Sequence, residues 1–370
     1  MEEIVRLLAQ APLLYDDGLS IQVQDFMEGL EIELEHELQD ALGLQAELWQ
    51  EEVLTLAEWM EWLEQIGKGQ RKLPEYNFTA MLGNLPEGFM IHDFHDELRK
   101  LGYEVLIISR QPGHIAWENQ GGINQALEGA ELLINLAGKS VNCRYTDENR
   151  KVILESRTRT TRILGESVLA CSIPPELWIN SSTATIYRHA EDRPMTEKEG
   201  EIGSGFSVDV AKAWEKAFFE FSLPSTRQIA LRIAIVLGEG GVMEPLTNLV
   251  RFGLGGSQGP GTQQFSWIHI EDLFRMVLYV QQRPQLEGVF NASSPHPVTN
   301  RQLMESLRRQ MGVRIGLPSP RWMLELGARF IRTETELVLK SRWVIPERLE
   351  REGFTFKYDT LDLALAEILK

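Results

Sequence analysis

From residue 76 onward, apolar positions repeat with two alternating periods. Residues 78–82 form a short apolar run, 89–101 carry apolar side chains at helical spacing, and 103–108 form a second run ending in Ser109-Arg110. Residues 131–136, 177–180 and 228–237 read as further buried strands, and 144–169 and 206–221 as long helices. Apolar runs of strand length separated by helical stretches predict βαβ units, hence an α/β fold with a doubly wound parallel sheet. Beyond Val242 the pattern is mixed, as expected for a smaller lobe on the substrate side. No internal repeat or low-complexity tract interrupts it.

Residues 1–75 follow a different rule. Val23, Phe26, Met27, Leu30 and Leu34 make one apolar stripe on an acidic helix. A second helix starts at Thr55, with Thr55 and Glu58 as a capping box and Leu54 and Trp59 as a hydrophobic staple. This segment holds 18 acidic and 4 basic residues, so it carries most of the chain's net charge of -17. A Gly-Lys-Gly-Gln-Arg-Lys-Leu-Pro stretch from Gly67 reads as a linker. The expected organisation is an acidic helical domain over 1–70, a dinucleotide-binding-type domain over 76–300, and a C-terminal helical lobe over 301–370, with part of 242–300 lining the cleft.

The acidic balance argues against nucleic acid, because no basic stripe is present to displace counterions. No apolar run approaches the roughly 20 residues of a membrane span. Cys143 and Cys171 are too few for a disulfide framework or a zinc site. His92-x-x-His95 lacks an identifiable third ligand, so no metal is expected. The Met-Glu-Glu start suits neither a secretory nor a transit signal, which makes the cytoplasm the expected compartment. The acidic helices are the expected surface for a protein partner.

The turn after the first strand carries the most informative departure. Dinucleotide-binding units place three glycines there, so that the backbone curls tightly and a helix N-terminus meets the pyrophosphate. The corresponding positions are Leu85, Gly88 and Ile91, and only Gly88 is retained. Pro86 and Glu87 occupy the turn, and a carboxylate at a helix N-terminus satisfies the dipole without a phosphate. Arg110, at the end of the second strand, stands where a basic residue meets the 2′-phosphate of NADP. NADP binding is therefore an open expectation.

Several later stretches are specific. Asn135-Leu136-Ala137-Gly138 follows the third strand, Glu155-Ser156-Arg157-Thr158 lies on the next helix, and Asn180 to Tyr187 reads Asn-Ser-Ser-Thr-Ala-Thr-Ile-Tyr. Gly253-Leu254-Gly255-Gly256, Ser266-Trp267-Ile268-His269 with Asp272, and the run from Asn291 to Asn300 complete the set. Together they resemble an atypical group of extended short-chain dehydrogenases/reductases, the NAD-dependent epimerase/dehydratase-like proteins sometimes labelled cell-division-inhibitor homologues. The end of the chain, through Val344-Ile345-Pro346-Glu347-Arg348-Leu349 and Gly353-Phe354, resembles that group's small C-terminal domain. The resemblance implies a Rossmann fold with a C-terminal lobe closing over a cleft. It also implies that Gly88, Arg110, Asn135, Ala137 and Gly138 face the cofactor. Separately, Asp17-Gly18-Leu19-Ser20-Ile21 and the helix after it resemble acyl carrier proteins, in which such a serine carries phosphopantetheine. An ordinary helix N-cap explains Ser20 equally well.

In the wider superfamily a serine orients the substrate, a tyrosine moves the proton, and a lysine four residues later lowers the tyrosine's pKa. Ser182 and Tyr187 suit the upstream part of that set. The Tyr-x-x-x-Lys positions fall on Ser207 and Ala211, with Lys212 one residue late, and one helical step turns a side chain by about 100°. Gln263, Trp267 and His269 are expected to face a small-molecule ligand, although a structural role explains His269 equally well. The sequence thus favours an epimerase-like binding protein with little or no catalysis. The alternative is an NADP-dependent oxidoreductase or epimerase acting on a small molecule or a carrier-bound acyl chain.

Overall fold

Strand β1 (Thr79–Leu82) opens the computed structural model, which describes residues 79–82, 90–141, 143–318 and 340–370. The acidic segment with Ser20, and the turn with Gly88, lie outside the described residues. Helix α1 (Met90–Lys100), strand β2 (Glu104–Ile107), helix α2 (Gln120–Leu127), strand β3 (Leu132–Asn135) and helix α3 (Asp147–Ala170) follow. Then come β4 (Leu177–Thr183), α4 (Phe206–Phe219), β5 (Arg227–Ile233), β6 (Ile235–Leu237) and α5 (Met243–Arg251). The chain continues through β7 (Gln264–Phe265), β8 (Trp267–His269), α6 (Ile270–Gln281), β9 (Gly288–Ala292) and β10 (Val298–Thr299). Helices α7 (Asn300–Gln310), α8 (Glu347–Arg351) and α9 (Leu361–Ile368) complete it.

Six strands pair in the order β2-β1-β3-β4-β5-β9, every pair parallel. The order reverses at β1, whose neighbours are β2 and β3, and ligands of such sheets bind outside the carboxyl ends of the strands at that point. Strands buried on both faces read as unbroken apolar runs, as 132–134 and 177–179 do. On one face Phe94, Leu98, Ile134, Ile179, Phe274 and Phe290 share a core; on the other, Trp117, Ile123, Leu133, Trp178 and Phe218 share a second. The expected Rossmann-type fold is therefore present.

Two elements depart from the periodicity. The predicted strand over 228–237 is broken at Ala234, whose N–H donates to Ala292 O (2.9 Å), while the next, Ile235 N–H, donates to Ser266 O (3.2 Å). The chain thereby leaves the main sheet, and β6 pairs with β8. Helix α2 has no amphipathic signature strong enough to predict, because glycines occupy two of its first three positions; Asn119 starts it by accepting from Gly122 N–H (2.9 Å).

The C-terminal lobe has its own core, in which Leu246 and Val250 of α5, Trp267 of β8, Leu303 and Leu307 of α7, and Leu361 and Leu365 of α9 meet. Residues 341–345 tie this part of the chain to the loop after β4. Val344 bridges Met195, and the Ser266 hydroxyl donates to Arg342 O (2.7 Å) and accepts from Val344 N–H (2.8 Å). Among the described residues no helix is long and apolar enough to cross a membrane.

Candidate functional site

Ser182, Arg232 and Asn291 are register partners on β4, β5 and β9, one rung before the carboxyl ends of those strands. Tyr187 follows β4 by a single 3-10 turn and lies over this rung, only 1% exposed. Its hydroxyl donates to Asn291 Oδ1 (2.8 Å) and accepts from Arg232 Nη1 (2.9 Å). Arg232 also forks onto Glu215 of α4, Nε to Oε1 and Nη2 to Oε2, both at 2.8 Å. Ser182 Oγ donates to the same Oε1 at 2.6 Å. Asn291 Nδ2 in turn donates to Ile345 O (3.0 Å), which ties the rung to the C-terminal segment.

The two predicted residues are thus together, but in a network that differs from the superfamily's. Burial pushes the Tyr187 phenol above its ordinary value, and Arg232 and Asn291 pull it part of the way back. The cation beside the phenol is a guanidinium already committed to a carboxylate, not an ammonium. Ala211, at the usual lysine position, is fully buried against Tyr187, while Lys212 points outward. Arg232, Glu215 and Asn291 are the residues that sequence reasoning missed. The signal was present, since an arginine within an apolar strand demands a buried anion as partner.

A second group gathers where β3 passes into α3. Asn135 is fully buried; its Nδ2 donates to Asn180 Oδ1 (2.6 Å) and Thr161 Oγ1 (3.0 Å), and its Oδ1 accepts from Ala137 N–H (3.0 Å). These bonds hold Ala137 and Gly138 in a tight turn. A Cβ on Gly138 would stand 2.9 Å from Cζ of Arg157, so any side chain there would push the guanidinium aside. Arg157 Nη1 donates to Lys139 O and Ile153 O, each at 3.0 Å, and the guanidinium lies 5.1 Å from the Trp214 ring centroid. Among the described residues no acidic side chain is paired with it, and burial pushes its pKa down to about 10.

Arg110 is exposed just beyond β2, on a turn in which Ser109 Oγ bonds His114 Nδ1 (2.8 Å). Arg110 and the Asn135–Gly138 turn therefore flank the carboxyl end of β1 from its two neighbouring strands. Cationic groups, a backbone turn against which the Arg157 guanidinium lies, and the switch point together form a donor set that fits an anionic dinucleotide.

The three residues expected to face a ligand are turned inward instead. Trp267 is fully buried, its indole N–H donating to His296 O (3.2 Å). His269 caps α6 by accepting Glu271 N–H at Nδ1 (3.2 Å) and lies against the Tyr358 ring at 3.9 Å. Gln263 is buried and donates to Gln258 O (2.8 Å). The Ser-Trp-Ile-His stretch is strand and helix cap, and its side chains build the lobe rather than line an opening. His95 bonds the neighbouring Asp96 (2.9 Å), and among the described residues no group of three potential ligands could hold a metal.

Comparison with known proteins agrees with this architecture. Residues 319–368 match a family model described as "Domain of unknown function (DUF1731)". The chain is 28% identical over 299 residues to the epimerase family protein YfhF of Bacillus subtilis, covering 78% of this chain and 97% of that protein. It is 30% identical over 280 residues to the human epimerase family protein SDR39U1, covering 74% of this chain and 93% of that one. A crystal structure of the human protein (isoform 2) with NADPH superposes with a TM-score of 0.71 at 28% identity, over 79% of this chain and 99% of that chain. A nucleoside-diphosphate sugar epimerase from Corynebacterium glutamicum gives a TM-score of 0.64 at 27% identity, over 85% of this chain and 62% of that one. The chain belongs to the epimerase family of atypical short-chain dehydrogenases/reductases and carries that group's small C-terminal domain.

Proposed function

We propose that this protein binds NADPH at the carboxyl edge of its sheet and does not use a tyrosine for proton transfer. The state of Tyr187 carries the reading. Its hydroxyl is enclosed, bonded on both sides, and kept from ionising by burial. A proton-transfer phenol needs access to substrate and a pKa drawn toward neutrality. The NADPH part draws support from the human relative's NADPH-bound structure and from the donors that flank the end of β1. Arg110 and the Asn135–Gly138 turn would hold the dinucleotide, which when bound supplies hydride chemistry.

A second reading, an NADP-dependent oxidoreductase or epimerase on a small molecule, draws on the 2.6 Å Ser182–Glu215 bond, a hydroxyl already delivered to a carboxylate. Titration with NADPH and NADH, followed by nicotinamide fluorescence and calorimetry, tests the proposal. Micromolar NADPH binding is expected, unchanged in Tyr187→Phe and weakened about tenfold, for NADPH more than NADH, in Arg110→Ala; a lost 2′-phosphate contact is of the order of 1.4 kcal/mol. No binding at millimolar cofactor sinks the binding claim. Any turnover that Tyr187→Phe abolishes in a folded protein sinks the claim about the tyrosine.

A further inference from the structure

Lys139, Arg150 and Arg157 converge on the corner between β3, α3 and α4, and among the described residues none of them is ion-paired to a carboxylate. Arg150 and Arg157 lie two turns apart on α3 and face two aromatic rings two turns apart on α4. Arg150 stands 4.7 Å from the Phe206 centroid and Arg157 5.1 Å from that of Trp214. Lys139 Nζ donates to the neutral Asn149 Oδ1 (2.9 Å), and Arg150 Nε to Tyr145 O (2.9 Å). Arg157 is the most enclosed of the three. It satisfies only Nη1, on two carbonyl oxygens, so its remaining N–H groups have no acceptor within the described residues. A half-buried cation without an anion costs stability unless something compensates it, and in a chain of net charge -17 acidic side chains are plentiful. Among the described residues no carboxylate supplies that compensation, which leaves the role to an anionic ligand.

We propose that Arg157, supported by Lys139, is an oxyanion-binding residue: it receives a phosphate or carboxylate group of a ligand seated over the Ala137-Gly138 turn. Gly138 is the second part of the device, since its bare Cα lets the guanidinium lie against the turn. The oxyanion has two sources, the bound dinucleotide or a separate anionic substrate. The first rests on the NADPH reading above; the second does not.

The experiment compares wild type with Arg157→Met, which keeps the aliphatic stem against Trp214 and removes the charge. The full chain is titrated with NADPH, with inorganic pyrophosphate and with a nucleoside diphosphate sugar, read by calorimetry and by the shift of Tm on ligand addition. The expected result has two halves. Ligand-free Arg157→Met melts at or above the wild-type temperature, because an uncompensated charge is gone. It also binds at least one of the three probes tenfold or more weakly than wild type. Loss confined to NADPH assigns the oxyanion to the dinucleotide. Loss confined to pyrophosphate and the sugar nucleotide assigns it to a substrate, and this inference then stands even where NADPH binding fails altogether. Equal binding of all three probes by wild type and variant, or by neither protein, overturns the proposal. So does a variant that melts well below wild type with Arg157→Lys restoring its Tm but no ligand discriminating between them, since the cation is then structural.

Discussion

Arg232 and Glu215 lie mostly out of water, with side chains 11% and 13% exposed, and they meet through two parallel bonds. Removing one partner of such a pair strands the other charge. Arg232→Met is expected to lose roughly 3–5 kcal/mol in urea unfolding, and the double variant with Glu215→Leu to recover much of that loss. Tyr187→Phe leaves Asn291 Oδ1 and an Arg232 N–H without a partner, and about 1–3 kcal/mol should disappear from the same measurement. At this scale Ser182 and Tyr187 were legible because they sit in one contiguous stretch. The residues that set their chemistry were not, because Glu215, Arg232 and Asn291 come from a helix and two other strands. Only the lateral register of β4, β5 and β9 sets them side by side.

At the scale of elements, the glycines from Gly253 to Gly256 have a packing reason. Two backbone segments cross there at close range: Gly256 N–H donates to Leu317 O (3.0 Å) and Leu317 N–H to Gly253 O (2.8 Å). A Cβ on Gly256 would stand 2.5 Å from the Leu317 carbonyl carbon, and one on Gly316 2.6 Å from that of Gly255. Backbone cannot swing aside as a side chain can, so Gly256→Ala should cost on the order of 1–3 kcal/mol and lower Tm. An unchanged Tm would mean that the crossing opens freely. Most strands and the long helices were readable from periodicity. The break at Ala234 was not, since an apolar run is equally apolar whether it stays in one sheet or passes between two.

For the molecule as a whole, His269 joins the β6–β8 pair and helix α6 to the C-terminal segment through its α6 cap and its contact with Tyr358. Burial, the largest influence, holds its pKa below the ordinary value against the pull of nearby carboxylates. Below about pH 6.5 the unfolded chain therefore binds a proton that the folded one resists, and stability falls as the pH drops through that window. His269→Asn, which keeps a capping acceptor, should flatten that slope in unfolding curves taken across it; an identical slope would assign the loss to other groups. In the acidic N-terminal segment, Leu19 stands where the carrier-protein pattern has an aspartate. Intact mass after co-expression with a phosphopantetheinyl transferase is accordingly expected to show no adduct on Ser20, and an adduct would establish a carrier role.

Alternating periods of two and 3.6, the spacing of turn residues, and motifs contiguous along the chain determined the sheet-and-helix architecture and the family, because each is a local property of neighbouring residues. The tertiary structure alone decided that Tyr187 is enclosed by Arg232 and Asn291. It also decided that Trp267 and His269 build the lobe, and that the Arg157 guanidinium lies against Gly138 and Trp214. Those facts depend on strand register and on which helix covers which edge. Burial and pairing, which set what a charged or phenolic group can do, exist only once distant segments have been brought together.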